Sequence, residues 1–564
     1  MALGYTPNRR RGPPLRLKST HCFSPLSTNL ASQRGVVTLR HLLLLHVPAR
    51  WRATTSKRGT VYIRRVTVEN VKSFRQETTF ELGPGVNFLV GDNNGGKSTV
   101  LESLLFLFEG PTAQKWTPDA FYSTNADGPT RVTAEIAGGV EELVKQDKYA
   151  LLESFIIDDG GEKVLRLERS SSERTVAQNG KDKTVNVKAV CFWHPEREQF
   201  ENVTGIDARV KAIFDFEAIW ADAQPGDHID FANTKTLGRL LDVAFKRFAQ
   251  TARWDTLVAA HKDAFAPDDD ESFVVETKRL ADDIKSLVDE QYGHAAMRFE
   301  FALPDPSVFL KQGRLHVDDG AGETPVEGKG SGMQRAIALG IIQLYAKSEA
   351  LGSGENPTPL ILMLDEPETW LHPTAQLRLG DALSVIGEKE QVFIITHSPY
   401  LIRKFDSKGH RLAVIAGQGA DRRIDTSTTF GLFGVGEPTW GEINYRAFGI
   451  CSHEFHNELY GYVTRHIESG KADGQSAKEY ELDEFLASEG LAKSKTWVRA
   501  SGPAWERTLT VYIRNSIHHP ENQLNAAVSD AELRESTDAL VEIVERLRAG
   551  SNDDQDSSEE QAVA

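Results

Sequence analysis

Few folds accept a glycine-rich loop that runs directly from an apolar strand into an apolar helix. Such a loop lies here between a predicted strand, Val86–Val90, and a predicted helix, Val100–Phe108. It reads Gly91, Asp92, Asn93, Asn94, Gly95, Gly96, Lys97 and Ser98, with Thr99 next. The loop matches GxxxxGK[ST], in which backbone N–H groups and a helix N-terminus surround phosphate oxygens. We therefore expect Lys97 to neutralise the β- and γ-phosphates of a nucleotide and Ser98 to bind magnesium.

Two further apolar runs end in residues that suit nucleotide hydrolysis. Leu360–Leu364 is followed by Asp365 and Glu366, and parallel sheets bind ligands at such carboxyl ends of strands. We expect Asp365 to hold the magnesium ion and Glu366 to orient the attacking water. Val392–Ile395 ends just before His397, which is expected to donate to the γ-phosphate or to hold the water. An ordinary loop histidine is the alternative.

A second loop rich in glycine and serine precedes the predicted helix Ala336–Ala346. It reads Gly328, Lys329, Gly330, Ser331, Gly332, Met333, Gln334 and Arg335. Because the loop opens a helix, its N–H groups and the Ser331 hydroxyl are available to contact phosphate. Taken alone, the same pattern is also typical of a linker.

Composition favours a folded protein of several structural units. Of the 564 residues 40% are hydrophobic and 26% are charged, which is ordinary globular usage. No apolar run approaches the roughly 18 residues of a membrane-spanning helix. The three cysteines form no CxxC pair, so neither a disulfide framework nor a thiolate zinc site is supported. We expect a soluble, cytoplasmic protein.

Charge is distributed unevenly along the chain. Residues 1–60 contain 11 Lys or Arg and no Asp or Glu, whereas the whole chain has a formal net charge of −16. A basic field over the entire surface is therefore excluded, although a local basic groove is not. Because residues 1–60 have no sustained periodicity, we predict a disordered leader or a start codon assigned too early. An organelle transit peptide is the alternative.

The rest of the chain alternates between strand and helix patterns. Residues 61–430 predict a parallel sheet covered by helices, with a helical insertion at about 206–300. Residues 441–548 contain helical segments without a strand pattern. Residues 549–564 are acidic and rich in Ser and Gln, and we predict that they are disordered. The predicted fold class is α/β followed by an all-α C-terminal domain.

The order of these segments resembles that of the ABC-type P-loop ATPases, in the group that includes the SMC, RecF and OLD proteins. The resemblance covers about residues 61–405 and begins at Val68–Phe74, which looks like the opening strand of the group. The corresponding motifs are Walker A at Gly91–Ser98, the signature at Gly330–Gln334, Walker B at Asp365 and Glu366, and the switch histidine at His397. Asn93-Asn94 and Asp365–Glu368 look more like the OLD-type AAA ATPases than like SMC proteins.

This resemblance implies an ATPase head that binds ATP and Mg²⁺. In the family two heads face each other, and the signature of one closes on ATP held by the other. A homodimer or higher oligomer is therefore implied, with Ser331, Gly332 and Gln334 contacting the nucleotide of the facing head. The signature reads GSGMQ rather than LSGGQ, which leaves the strength of this contact open. The Q-loop residue is also open, because Gln114 and Gln199 are both candidates.

The C-terminal helices carry a second resemblance. OLD-type proteins often continue into a Toprim nuclease, but its acidic patterns do not follow residue 405, apart from Asp554–Asp556 in the acidic tail. Arg514, Asn515 and His519 instead look like the motif of the HEPN family of helical RNases. That resemblance implies metal-free RNA cleavage by Arg514 and His519. A helix end that carries basic residues before Pro520 is an equally open interpretation.

Two hypotheses of function follow. In the first, ATP-driven head closure controls a HEPN-like RNase in a bacterial nucleic-acid sensor of anti-phage defence. In the second, the protein is an ATP-gated DNA clamp or repair factor that acts through a separately encoded effector. Nucleic acid, whether DNA or RNA, is the expected partner in both hypotheses, and a membrane is expected in neither.

Overall fold

The computed structural model describes residues 60–110, 129–178, 181–187, 189–221, 229–231, 235–265, 273–294, 296–299, 301, 310, 312–320, 322–347, 358–417, 423–426, 428, 430–434, 437–471 and 475–563. The predicted leader at 1–60 therefore lies outside the described residues, apart from its last position. The Q-loop candidate Gln114 also lies outside them.

Within these ranges the strands are β1 Tyr62–Glu69, β2 Thr78–Glu81, β3 Val86–Gly91, β4 Arg131–Ala137, β5 Ile156–Asp159, β6 Glu162–Ser170, β7 Arg174–Gln178, β8 Lys181–Val185, β9 Cys191–His194, β10 Gln199–Glu201, β11 Asp215–Ile219, β12 His316–Asp318, β13 Glu323–Pro325, β14 Leu360–Asp365, β15 Gln391–Ile395, β16 His410–Ala416, β17 Arg423–Asp425, β18 Lys495–Trp497 and β19 Trp505–Arg507. The α-helices are α1 Lys97–Glu109, α2 Val140–Val144, α3 Asp207–Val210, α4 Thr236–Phe248, α5 Ala252–Ala264, α6 Phe273–Tyr292, α7 Ser331–Lys347, α8 Pro373–Gly387, α9 Pro399–Ile402, α10 Trp440–Phe448, α11 His453–Ser469, α12 Glu479–Ser488, α13 Leu509–His518 and α14 Asp530–Val563. Short 3₁₀ helices occur at Ala150–Phe155 and Val326–Gly328.

A six-stranded sheet carries the glycine-rich loop. Its order is β11-β14-β15-β3-β16-β17, and all neighbours are parallel except β16 and β17. β14 and β15 are buried along their whole length, as expected of apolar strands covered on both faces. Since the strands are parallel, the carboxyl ends of β3, β14 and β15 meet at one edge of the sheet. The mixed α/β fold predicted from the sequence is confirmed.

α1 lies between this sheet and a second, antiparallel sheet of order β10-β9-β6-β4-β1-β2, in which β5 also pairs with β6. Leu104 and Phe108 of α1 share one core with Val66 of the antiparallel sheet and Met363 of the parallel sheet. Burial on nearly all sides is what the continuously apolar sequence of α1 requires.

The other face of the parallel sheet is covered by α7, α8, α9 and α10. Leu339, Leu383, Leu401 and Ile443 of these helices share a core with Leu362 of β14. α10 therefore packs on the sheet although it follows the predicted end of the α/β region at residue 430.

The segment predicted as a helical insertion, 206–300, contains a strand as well as helices. α4, α5 and α6 lie within residues 236–292, but β11 is the edge strand of the parallel sheet and pairs with β14. The sequence pattern missed this strand because the charged residues Asp215 and Glu217 interrupt its apolar run. Asp215 accepts hydrogen bonds of 2.6 Å from both Tyr345 and Arg239. These two bonds satisfy the hydrogen-bonding requirement of the Asp215 carboxylate at the edge of the sheet.

The C-terminal part contains the expected helices, but it is not purely helical. β18 and β19 form an antiparallel hairpin in which Trp497 pairs with Trp505. Strands of three residues are too short to give a readable periodicity, which explains why the hairpin was not predicted. Phe455, Leu459 and Leu540 belong to the core between the helices.

The acidic segment 549–564, predicted to be disordered, is helical up to Val563 because α14 continues through it. After Gly550 the segment contains neither glycine nor proline, the two residues least favourable in a helix. Among the helices that the structure describes, none combines the length and apolar character needed to cross a membrane.

Candidate functional site

The glycine-rich loop packs so closely on its surroundings that two positions require glycine. At Gly91 φ is 124°, and a Cβ would lie 1.9 Å from the carbonyl oxygen of Ile415 on β16. At Gly96 φ is 102°, and a Cβ would lie 2.8 Å from the ring of Phe74. Only glycine accepts both the positive φ and the close contact. Tertiary packing on two sides therefore fixes the shape of the loop.

Hydrogen bonds within the loop fix its turn. The backbone N–H of Gly95 donates to the carbonyl oxygen of Asp92 at 3.1 Å. The Asp92 carboxylate accepts the N–H of Gly417, which follows β16, at 2.9 Å. Asn94 has a φ of 62°, in the left-handed region that asparagine adopts more readily than most residues. The conformation of the turn at residues 93–95 is therefore fixed by contacts within the protein.

Lys97 begins α1, and its side chain folds back over the loop. Its Nζ donates to the carbonyl oxygens of Gly91 at 3.0 Å and Asp92 at 2.8 Å. Burial lowers the pKa of Lys97, and the nearby carboxylates of Glu366 and Asp365 oppose that shift. The ammonium therefore brings a positive charge to the inside of the loop, where an anion would benefit from it.

Ser98 and Asp365 were predicted as partners in metal binding, and they lie in direct contact. The Ser98 hydroxyl donates to Oδ2 of Asp365 at 2.9 Å. The serine comes from the first turn of α1 and the aspartate from the end of β14, which shows that these two elements converge. A hydroxyl and a carboxylate are oxygen ligands of the kind that Mg²⁺ prefers.

Glu366 follows β14 in a strained backbone conformation. Its φ is 47°, which is unfavourable for a residue other than glycine. Three hydrogen bonds hold this turn. The N–H of Glu366 donates to the carbonyl oxygen of Ile395 at 2.9 Å, and the Glu366 carbonyl accepts the N–H of Thr369 and Nη2 of Arg335, both at 3.1 Å. Arg335 lies in α7 directly after the signature residues, and sequence reasoning assigned no role to it.

His397 faces Glu366 from the end of the neighbouring strand β15. Its Nε2 lies 3.9 Å from Oε1 of Glu366 and has no hydrogen-bond partner among the described residues, although it is buried. Burial and then the charge of Lys97 lower the pKa of His397, and Glu366 acts in the opposite direction. The imidazole is therefore neutral near pH 7, and one of its ring nitrogens is not engaged.

These residues surround a cavity of about 470 Å³. Its walls are formed by Lys72, Ser73, Asn93, Asn94, Gly95, Gly96, Lys97, Ser98, Thr99, Asp365, Glu366, Ile395 and His397. The glycine-rich loop and the ends of β14 and β15 all contribute to this wall. Lys72 and Ser73 were not predicted as site residues; the signal was their place in Val68–Phe74, which was interpreted only as an opening strand.

The predicted signature residues lie beside this cavity and do not line it. Ser331 is exposed at the start of α7, and Nε2 of Gln334 donates to the carbonyl oxygen of Lys329 at 2.7 Å. A Cβ at Gly332 would lie 2.9 Å from the carbonyl oxygen of Trp370, so α7 approaches the turn after β14 closely. The Q-loop candidate Gln199 lies in β10, bonded to Ala177, and is not part of the cavity wall.

Arg514 lies in the last turns of α13, and His519 follows the end of this helix. The Arg514 guanidinium lies over the ring of Tyr460, 5.5 Å from its centre, and donates to Asn515 at 3.2 Å. His519 follows α13, contacts Glu521 at 3.3 Å and lies 6.4 Å from the ring of Trp497. His518 lies near both predicted catalytic residues, because burial and then the charges of Arg514 and His519 lower its pKa.

A buried polar network joins three C-terminal helices. Nε2 of His456 and Oγ of Ser536 are 3.0 Å apart, and Thr510 bonds to the same serine at 2.8 Å. Burial lowers the pKa of His456 to about 4. This histidine is therefore neutral and structural. Among the described residues no group of three or more His, Cys, Asp or Glu side chains is arranged to hold a metal ion.

Comparison with protein families supports the nucleotide site. Residues 65–214, which include the glycine-rich loop, match the family described as AAA domain. Residues 245–402, which include Asp365, Glu366 and His397, match the family described as AAA ATPase domain. The chain therefore contains AAA-type ATPase sequence, which implies ATP binding.

Two nucleases are distant relatives. The chain is 24% identical over 361 residues to the Old nuclease of Escherichia phage P2, a match that covers 61% of this chain and 57% of that protein. It is 31% identical over 107 residues to the OLD nuclease of Thermus scotoductus, covering 18% of this chain and 19% of that protein. The chain thus spans little more than half the length of the phage nuclease.

Among solved structures, two SMC heads are similar to this chain. The SMC head bound to the C-winged helix domain of ScpA is 13% identical, with a TM-score of 0.36, covering 64% of this chain and 97% of the head. The SMC head domain from Thermotoga maritima is 14% identical, with a TM-score of 0.29, covering 65% and 99%.

Proposed function

We propose that this protein hydrolyses Mg-ATP at Gly91–Ser98 and that the bound nucleotide controls its C-terminal helices. The observation that carries the proposal is the pairing of His397 with Glu366 next to Ser98 and Asp365. Nε2 of His397 lies 3.9 Å from Glu366, too far for a direct hydrogen bond, but both groups can bond to a third group between them. A water attacking the γ-phosphate is such a group.

Five side chains of the cavity then have a defined task. Lys97 binds the β- and γ-phosphates, and the loop N–H groups hold their remaining oxygens. Ser98 and Asp365 would hold Mg²⁺, which neutralises phosphate charge when bound. Glu366 takes the proton of the attacking water. The neutral imidazole of His397 donates from Nε2 to the γ-phosphate or to this water.

The signature residues are proposed to act on a second copy of the chain. Ser331 is exposed and lies outside the cavity of its own head. Met333 in the same motif and Trp370 nearby are also large apolar side chains exposed to solvent, at 42% and 69%. A homodimer in which Ser331, Gly332 and Gln334 close on the ATP of the facing head would cover these residues.

α10 is the proposed connection between the ATP site and the C-terminal helices. α9 begins directly after Ser398, and its Tyr400 packs on Trp440 of α10 with ring centres 4.9 Å apart. At the other side of α10, Tyr445 donates to Asp538 at 2.8 Å and Arg446 to Glu545 at 2.6 Å, both on α14. A shift of the strand end at His397 would therefore reach α14 through two helices.

Nucleic acid is the proposed target, because the two distant relatives are nucleases. For the C-terminal helices we propose a HEPN-like RNase in an anti-phage system. Arg514 of one copy and His519 of a second copy are proposed to form this site together. An ATP-gated DNA clamp that acts through a separately encoded effector is the alternative.

ATP turnover tests the first part of the proposal. Purified protein should hydrolyse ATP in the presence of Mg²⁺, and Lys97→Ala should weaken the binding of a fluorescent ATP analogue by roughly 10- to 100-fold, as expected for a lost charge-assisted bond. Lys163→Ala, which removes a lysine of the antiparallel sheet, is the matched control and should bind normally. Equal affinity of Lys97→Ala and wild type would contradict the proposed site.

Cleavage of labelled RNA and duplex DNA tests the second part. We expect RNA cleavage that depends on ATP and is lost in both Arg514→Ala and His519→Ala. Arg499→Ala and His453→Ala, which alter exposed residues elsewhere on the C-terminal part, serve as controls. ATP turnover that DNA stimulates, without cleavage of either substrate, would instead support the clamp.

A further inference from the structure

Glu368 is a buried carboxylate that connects two strand ends of the ATP site. It lies in the turn after β14, and its Oε1 accepts two hydrogen bonds from the end of β15. Thr396 donates through its hydroxyl at 2.8 Å, and His397 donates through its backbone N–H at 2.8 Å. The carboxylate thus fixes the backbone that carries the imidazole.

The other oxygen of Glu368 has no hydrogen-bond partner among the described residues, although it is buried. A buried carboxylate with one uncompensated oxygen destabilises a fold, and burial accordingly raises the pKa of Glu368. Arg335 of α7 bonds through its guanidinium to the carbonyl of Glu366. Burial lowers the pKa of Arg335, and the charges of Glu368 and Glu366 oppose that shift. Glu368 therefore lies near α7 as well as at the end of β15 that carries His397.

Further bonds continue from Glu368 around the site. The N–H of Ser398 donates to the Thr396 hydroxyl at 2.9 Å, and the Ser398 hydroxyl donates to Oε1 of Gln376 at 2.6 Å. Nε2 of Gln376 donates to the carbonyl oxygen of Leu371 at 2.8 Å. The turn after β14, the end of β15 and the start of α8 form one closed hydrogen-bonded frame.

We infer that Glu368 is a positioning residue for ATP hydrolysis, which holds His397 at its distance from Glu366 through the two bonds to Thr396 and His397. The inference rests on the proposed ATPase function. Glu368 lies outside the cavity wall, so its effect passes through the histidine and not through contact with ATP.

Three variants of Glu368 distinguish an effect of the position of its carboxylate from an effect of its charge. Glu368→Asp keeps the charge but shortens the side chain, so it should lose both bonds and lower kcat by roughly 10²-fold, the usual result of misplacing a catalytic group by about 1 Å. Glu368→Gln keeps an acceptor oxygen at full reach and should retain kcat within a few-fold. Glu368→Ala should resemble the aspartate variant. In all three the affinity for a fluorescent ATP analogue should stay close to wild type.

Glu390 provides a matched control at the opposite end of β14. Its carboxylate also accepts a backbone N–H, from Leu360 at 2.9 Å, and burial raises its pKa to about 6. Glu390→Asp should leave kcat unchanged. Amide exchange of the segment 396–398, measured without nucleotide, should accelerate in Glu368→Asp but not in Glu390→Asp, which gives a readout independent of activity.

These experiments distinguish failure of the proposed ATPase function from failure of the inference about Glu368. Absence of ATP turnover in the wild type would overturn the proposed function itself. With wild-type turnover present, the inference is overturned if Glu368→Asp has normal kcat and exchange. It is also overturned if Glu368→Gln is as inactive as Glu368→Ala, since charge would then matter rather than position. A parallel loss of kcat, ATP affinity and thermal stability would indicate a merely structural role and would overturn it too.

Discussion

The hydroxyl of Ser98 bonds to the carboxylate of Asp365 at 2.9 Å, although 267 positions separate the two residues. This contact joins the start of the helix that follows the glycine-rich loop to the end of the central strand. Both side chains end in oxygen atoms, and the cavity opens beside them. We therefore expect the two residues to act together on one cation.

Asp365→Asn tests the proposed magnesium pair. The substitution keeps the shape of the side chain and an oxygen ligand but removes the charge that a divalent cation requires. We expect the Mg²⁺ concentration for half-maximal ATP turnover to rise by about tenfold or more, equivalent to roughly 1.4 kcal/mol of binding free energy. Titration of turnover with MgCl₂ measures the shift. Asp381→Asn on the exposed side of α8 should leave the titration unchanged, and an unchanged midpoint in Asp365→Asn would exclude this role.

Glu366→Gln separates binding from hydrolysis. Glutamine fits the same strained turn and keeps its backbone bonds, but it takes up no proton from water. We expect turnover to fall by roughly 10²- to 10⁴-fold, the usual contribution of a general base, with ATP affinity retained. Single-turnover hydrolysis and analogue binding measure the two effects, with Glu388→Gln as a surface control. Normal hydrolysis by Glu366→Gln would show that another residue is the base.

His456 makes the stability of the C-terminal part depend on pH. Its pKa is about 4 in the folded protein and near 6.5 in an unfolded chain, so between these values only the unfolded chain is protonated. Stability is therefore complete above pH 6.5 and declines as pH falls towards 4, by up to about 3 kcal/mol from this residue.

Urea unfolding of the wild type and His456→Gln at pH 7 and pH 5 measures this effect. Glutamine can still bond to Ser536 but does not titrate, so the variant should lose less stability between the two pH values. His453→Gln, one turn away and exposed, should behave like the wild type. Equal pH dependence in His456→Gln and wild type would show that His456 is not the titrating group.

Trp440→Ala tests the connection through α10. The ring contacts Tyr400 on one side and lies 5.3 Å from the Arg403 guanidinium. We expect ATP to change the amide exchange of α11 and α14 in the wild type. Trp440→Ala should keep ATP turnover and lose this change. Trp505→Ala, on the hairpin between Arg499 and Arg507, is the matched control. A nucleotide-dependent change that persists in Trp440→Ala would place the connection elsewhere.

The parts of the site that could be predicted from the sequence are motifs formed by consecutive residues. The loop Gly91–Ser98 and the ends of β14 and β15 each follow an apolar strand, so a local pattern reveals them. Glu368 and Arg335 act through contacts between distant segments, and no local pattern distinguishes them from surface charges. β11 was missed for a similar reason, because residues from α4 and α7, farther along the chain, bond to its acidic side chains.

The C-terminal part was less predictable. Helix patterns were recognisable, but the short hairpin is defined by the pairing of Trp497 with Trp505 and not by periodicity. The roles of Arg514 and His519 stay a prediction, because they depend on how two copies of the chain would face each other.

The position of β3 between β15 and β16 has a consequence for biosynthesis. Asn87 of β3 lies beside Val392, 305 positions later in the chain. A growing polypeptide therefore completes the loop and α1 long before the strands that flank them leave the ribosome. Until about residue 416 has emerged, the face of α1 that packs on the parallel sheet lacks its cover and the ATP site cannot assemble. Chains that terminate early therefore expose apolar surface, which favours chaperone binding and degradation. ATP binding becomes possible only late in folding, after the distant strands have paired.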